Sequence, residues 1–238
     1  MVKIIPAILP LRYYDIPNGV EKVVGAVDTM QIDFVDGHFA TNRTWPFNNK
    51  NEDKLASILN QDEGMPEWET MNYEFDLMVK DPLEHMDTFM ALGPSKIIFH
   101  IESMHEEVMV PYFENLPLII KDVMTYGIAI GIDTDPALVA PYIPYIDTIQ
   151  CMGIANVGFQ KQPFDPRVID QVKKTKALYP DKSISVDGGV NMETAAVLTQ
   201  AGADTLVVGS TIFQSTDPQG TIQELKRVCH LATTASES

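Results

Sequence analysis

Eight short apolar or β-branched runs recur along the chain, at Lys3 to Leu9, Thr29 to Phe34, Tyr73 to Val79, Lys96 to Ile101, Gly127 to Ile132, Thr148 to Met152, Ser183 to Val186 and Thr205 to Val208. Continuous apolar runs suit strands covered on both faces, as in a parallel sheet. Between them lie stretches that read as helices: Asp81 to Leu92, Asp135 to Ile146, Pro166 to Leu178, Met192 to Ala201 and Gln219 to Val228, with weaker candidates at Gly19 to Ala26 and Asp53 to Asn60. Asp-Pro pairs at 81–82, 135–136, 165–166 and 217–218 each offer a capping carboxylate followed by a proline suited to the first helical position. Gly93 and Gly202 fit helix ends. Pro111 and Pro117 interrupt the segment Glu106 to Tyr126, where irregular structure is expected. With no Gly/Ser linker or charge run to mark a boundary, the alternation predicts an α/β chain built as a single (β/α)8 TIM barrel over residues 1–229. A doubly wound sheet is the alternative. The closing HLATTASES, from residue 230 to 238, reads as a flexible tail.

Charge narrows the partners. Seventeen Lys and Arg against 33 Asp and Glu give a formal net charge of -16. Such a chain repels nucleic acid backbones and anionic lipid, so neither nucleic acid nor membrane is expected as a partner. Cys151 and Cys229 form no metal or disulfide spacing, and both read as inert thiols in a reducing compartment. The opening MVKIIPAILPLRYYD is apolar only briefly and broken by prolines, unlike a signal peptide or a span, so a cytoplasmic location is expected.

In a barrel of this kind, reacting groups come from the C-terminal ends of the strands. Those ends carry Asp33, Asp76, His100 and Glu102, Asp133 and Asp135, Met152 and Asn156, Asp187, and Gly209-Ser210. Asp187 stands directly before Gly188 and Gly189, and a second glycine turn, VVGSTIF, follows the eighth run. Loops after strands seven and eight commonly hold phosphate on backbone N–H groups, which makes Gly188, Gly189, Gly209 and Ser210 a candidate phosphate grip. Two tight turns without a ligand are the plainer alternative. Asp33 and Asp187, on strands two and seven, could flank a substrate, one carboxylate removing a proton and the other returning one to the opposite face. Each could instead cap a loop.

The segments IDFVDGHF (32–39) with Asn42, DLMVKDP (76–82), FHIES (99–103), VGFQKQPF (157–164) and VDGGVNMETAAVLTQAGADTLVVGSTIF (186–213) resemble the ribulose-phosphate 3-epimerase family and the similar allulose-phosphate 3-epimerases. The resemblance implies an isomerase of carbohydrate metabolism that inverts carbon 3 of a phosphorylated ketose through an enediolate. It implies interconversion of D-ribulose 5-phosphate and D-xylulose 5-phosphate, a divalent metal, no organic cofactor and a homo-oligomer. It maps acid and base onto Asp33 and Asp187, and phosphate binding onto Gly188, Gly189, Gly209, Ser210 and the loop at Gly158. Met78 and Met152 match methionines that line the family's pocket, although both would also serve as core filler.

The departures are concentrated at the metal. Where the family carries histidines, this chain has Gln31 and Asp76. The candidate ligands become Asp33, Asp76, Asp187 and Gln31, all oxygen donors, which favours Mg²⁺ or Mn²⁺ over Zn²⁺. Without a metal, three clustered acids would repel, and at least one would be protonated near neutral pH. The family's Ser near the N-terminus is Ala7, and its Asn-Pro-Gly-Phe-Gly-Gly loop reads Asn156-Val157-Gly158-Phe159-Gln160-Lys161. Lys161 could add a charge for phosphate or could be a solvated surface residue. His100 and Glu102 match the family's fourth-strand FHxE pattern; His100 reads as a satisfied core histidine, with a role in orienting its neighbours as the alternative. The alternative function is a non-catalytic barrel that binds a sugar phosphate after losing its metal site. A Schiff-base aldolase lacks a lysine at a strand end, since Lys80 lies just beyond its run, and no Asp-x-Lys-x-x-Asp array of a decarboxylase is present.

Overall fold

The computed structural model describes residues 1–48, 50 and 52–236. Eight parallel strands close into one barrel in sequence order: β1 (Lys3–Ile8), β2 (Thr29–Val35), β3 (Asn72–Met78), β4 (Lys96–His100), β5 (Thr125–Ile130), β6 (Thr148–Met152), β7 (Ser183–Asp187) and β8 (Thr205–Val208). β8 pairs back onto β1 through Lys3 with Thr205 and Pro6 with Val208. Most strand positions are buried, as the continuous apolar runs require when helices cover one face and the barrel interior the other.

The outer layer contains α1 (Asp15–Val23), α2 (Glu52–Leu59), α3 (Met86–Ala91), α4 (Glu106–Glu114), α5 (Leu118–Val123), α6 (Arg167–Leu178), α7 (Met192–Ala201), α8 (Ser210–Phe213) and α9 (Pro218–Ser236). Three of the four expected aspartate caps form. The Asp135, Asp165 and Asp217 carboxylates accept from the backbone N–H groups of Ala137, Arg167 and Gly220. Asp81 does not cap: its backbone is left-handed, with φ 49°, and a tight 3-10 turn, Pro82–His85, precedes α3. The stretch expected as a helix from Asp135 is also a 3-10 helix, Pro136–Tyr145, because Pro141 and Pro144 lack the N–H groups an α-helix would use there.

Two expectations fail outside the barrel. Glu106 to Tyr126 is not irregular: α4 accommodates Pro111, and Pro117 stands at the N-terminus of α5. The segment expected to fray from residue 230 continues α9 as far as Ser236, with Cys229 and Ala232 buried against the barrel. Residues 237 and 238 lie outside the described residues. No helix among those described is long and apolar enough to cross a membrane.

Inside the barrel, side chains at alternate positions point inward and stack in layers. Glu74, Asp76 and Met78 are one such row on β3, and Gln31, Asp33 and Val35 face them from β2 in register, Gln31 beside Glu74 and Asp33 beside Asp76. At the closed end Glu74 is paired with Lys96, its register neighbour on β4, at 3.0 Å. The C-terminal end is open and carries the site.

Candidate active site

Three carboxylates converge at the barrel mouth. One oxygen each from Asp33, Asp76 and Asp187 lies within 4.8 Å of the others. Asp76 is fully buried and Asp33 nearly so. β2, β3 and β7 deliver them at inward positions next to the C-terminal strand ends, which explains how residues as distant in the chain as Asp33 and Asp187 meet.

Each carboxylate is held by a neutral or cationic donor. The Gln31 amide N–H₂ donates to Asp33 Oδ1 at 2.9 Å and to Asp187 Oδ2 at 2.8 Å, bridging the two. On the other side, Gln150 Nε2 donates to Asp76 Oδ2 at 3.0 Å, and His100 Nε2 lies 2.9 Å from Asp76 Oδ1. Ser185 Oγ donates in turn to Gln150 Oε1. Glu102 stands 4.0 Å behind the His100 ring, its own carboxylate engaged by the Gly131 N–H and the Thr134 hydroxyl. Gln31 Oε1 is buried and has no hydrogen-bond partner among the described residues.

This environment shifts protons. Burial pushes Asp33 well above the ordinary carboxylate range; Asp187 and then Asp76 add to that, against the Gln31 hydrogen bond. Burial also pushes Asp187 up to about 7, reinforced by Asp76 and opposed by Gln31, His100 and the Gly188 backbone. For His100 burial acts downward, but the charge and hydrogen bond of Asp76, with Glu102 and Asp187 behind them, outweigh it and raise its pKa. Three acids in one low-dielectric site cannot all be ionised, so the cluster retains a proton near neutral pH.

Beside the acids opens a pocket lined by Asp33 and Asp187 together with the seven residues expected to bind substrate and phosphate: Met78, Met152, Gly158, Gly188, Gly189, Gly209 and Ser210. The glycines after β7 are required by the backbone. Gly188 has φ 101° and Gly189 φ 71°, and a Cβ at Gly189 would stand 2.8 Å from the Phe164 backbone. Asn191 then starts α7 with a capping box, accepting from the Thr194 N–H while the Thr194 hydroxyl accepts from the Asn191 N–H. Thus each predicted site residue is at this end of the barrel; Gln31 and Asp76 do not line the pocket but meet its acids, Gln31 by hydrogen bonds and Asp76 within the carboxylate cluster.

Four contributors escaped the sequence reading or were undervalued in it. Gln150 and Ser185 orient Asp76, and His100 is satisfied by Asp76 itself instead of by the general core. Gln150 stands two positions before Met152, hence on the same face of β6, and that period was the available signal. Asp36 ties the loops together: its Oδ1 accepts from the His38 and Phe39 N–H groups and its Oδ2 from Lys80 N–H.

The model of the Ribulose-phosphate 3 epimerase family matches residues 3–213. The chain belongs to that family. Among ribulose-phosphate 3-epimerases, the Bacillus subtilis (strain 168) protein is 27% identical over 232 residues, covering 95% of this chain and 99% of the relative. The Chlamydia pneumoniae ribulose-phosphate 3-epimerase is 29% identical, covering 79% of this chain and 77% of the relative. Among solved structures, KGPDC from Streptococcus mutans superposes with a TM-score of 0.68 at 12% identity, covering 98% of this chain and 99% of that one. At that identity the likeness concerns the barrel alone. Family membership makes this a sugar-phosphate epimerase-like barrel, and the question left to its residues is which chemistry its mouth supports.

Proposed function

We propose that the protein is a sugar-phosphate 3-epimerase acting on a phosphorylated ketose, with D-ribulose 5-phosphate and D-xylulose 5-phosphate as the interconverted pair. The observation that carries the reading is the facing of Asp33 and Asp187 across the Gln31 amide, beside a pocket walled by two glycine turns. One acid must be ionised and the other protonated for a proton to leave one face of carbon 3 and return to the other. Upward displacement of both carboxyls, with Asp187 near 7, supports that division at neutral pH. Asp33 and Asp187 exchange roles when the reaction runs in reverse. Met78 and Met152 supply apolar walls that keep water from the carbanionic carbon, and Gly188, Gly189, Gly209 and Ser210, with the Gly158 loop, offer close backbone approach for the phosphate.

The residues fit a divalent cation of oxygen preference. Three carboxylate oxygens within 4.8 Å of one another and the orphaned Gln31 Oε1 beside them make a hard donor set. Asp33, Asp76, Asp187 and Gln31 would hold the ion, and Mg²⁺ or Mn²⁺ suits them better than Zn²⁺. A bound cation supplies positive charge opposite the oxygens of the enediolate. His100 and Gln150 keep Asp76 fixed in orientation. Two buried thiols, Cys151 and Cys229, support a reducing, cytoplasmic setting.

The bridging Gln31 donor also favours a second reading, a barrel that binds sugar phosphate without turnover, since an amide bound to both carboxylates damps their basicity. Exchange of the carbon-3 proton of ribulose 5-phosphate with deuterated water separates the two. We expect metal-stripped protein to be slow and Mg²⁺ or Mn²⁺ to restore exchange. Absence of exchange with Mg²⁺, Mn²⁺, Fe²⁺ and Zn²⁺ alike, in folded protein that still binds the sugar phosphate, would establish the non-catalytic reading.

A further inference from the structure

The mouth pocket is acidic on one side and uncharged on the other, with one exception. Lys161, in the loop between β6 and α6, is the sole Lys or Arg among the described residues that line it. Elsewhere on this acidic chain Lys54, Lys96, Lys174 and Lys176 each pair with a carboxylate within about 3.0 Å. The Lys161 ammonium has no ion pair or hydrogen bond among the described residues. Its backbone has φ 62°, a left-handed conformation that disfavours any residue with a Cβ. Of the four non-glycine residues with positive φ among the described residues, Lys161 alone lines this pocket.

The loop is anchored. Asn42 Nδ2 donates to Gly158 O at 2.9 Å, tying it to the segment after β2. Next to Lys161, the Gln160 side chain reaches across to the glycine turn after β8: a methyl group placed on Gly209 would lie 3.5 Å from Gln160 Nε2. The Gln160 amide thus stands over the same glycine turn, and Lys161 lines the same pocket. A phosphate monoester carries nearly two negative charges at neutral pH, and a pocket holding Asp33 and Asp187 opposes it. An ammonium meeting that phosphate forms a charge-assisted hydrogen bond, about twice as strong as a neutral one.

We propose that Lys161 is the specificity determinant that selects a phosphorylated ketose over the free sugar, with the Gln160 amide beside it on the same phosphate. The proposal rests on the sugar-phosphate reading of this pocket and assigns its phosphate charge to one side chain.

Calorimetric titration of the full chain with inorganic phosphate, ribulose 5-phosphate and unphosphorylated ribulose tests it. Lys161→Met, which keeps the chain length and the same backbone demand, is expected to weaken inorganic phosphate and ribulose 5-phosphate about tenfold, the scale of one charge-assisted hydrogen bond. Ribulose binding should stay unchanged, Lys161→Arg should restore most of the loss, and the salt dependence of phosphate binding should shrink in the Met variant. Phosphate binding equal to wild type in Lys161→Met, or an equal loss for ribulose and ribulose 5-phosphate, overturns the assignment. So does wild-type protein that binds no inorganic phosphate. Lys161-dependent phosphate binding without carbon-3 exchange would leave this assignment standing and remove the epimerase reading.

Discussion

Strand β3 carries two buried acids on one face, two residues apart, and the barrel treats them in opposite ways. At the closed end Glu74 meets Lys96, its register neighbour, at 3.0 Å, and the charges cancel. One layer higher Asp76 meets Asp33, its register neighbour on the other side, with Asp187 joining them. The first arrangement serves folding, whereas the second opposes it, since like charges in a desolvated site destabilise the folded state. A barrel that can pair a buried acid at one end and leaves three together at the other has its liability where chemistry is expected.

The contrast can be broken from the mouth. Asp33→Asn or Asp187→Asn removes one of the two proton-transfer groups, and carbon-3 exchange should fall by roughly 10³-fold, within the range for loss of a general acid or base. A drop of less than about tenfold for both would remove them from the chemistry.

At the closed end the sign concerns stability. Lys96→Met leaves the buried Glu74 without its counter-ion and should destabilise the fold by about 3 kcal/mol, read as a lower urea midpoint. The opposite is expected for Asp187→Asn in metal-free protein. The folded carboxyl binds its proton up to about pH 7, whereas an unfolded aspartate releases it near pH 4. The raised folded value therefore gives stability that is present below about pH 4 and lost as pH climbs through 7. Asp187→Asn lacks that penalty and should unfold at a higher temperature than wild type at pH 8, with the gap narrowing toward pH 4. A constant gap would assign the effect to packing.

The smallest effect expected is at Gln31. Its amide holds both Asp33 and Asp187 down toward ionisation, so Gln31→Leu should move the pH profile of exchange upward by about one unit, the scale set by loss of one hydrogen bond to a charged group. A downward shift would mean that the amide's repulsive oxygen dominates.

Much of this was legible in the chain. All eight strands were readable because each is a continuous apolar run, and most begin and end within a residue or two of the expected limits, since strand burial depends on local composition. Asp33, Asp76 and Asp187 were legible because an acid at a strand end interrupts such a run. Gln150 and Ser185 were not, being neutral residues whose importance lies in what faces them from other strands. The helix around Pro111 was hidden by a residue that usually ends helices, and packing overrode it. The last two turns of α9 were missed because small polar residues give no apolar run, although Cys229 and Ala232 lie on the buried face.

The pairing of β1 with β8 has a consequence for how the chain is made. Lys3 finds Thr205 only after almost everything between them has been synthesised, so the barrel cannot seal while it is being translated. Until then the growing sheet has two open edges, each a row of unpaired N–H and C=O groups on which neighbouring nascent chains can add. A chain released before residue 205 keeps both edges for good, and its expected fate is the insoluble fraction or the protease.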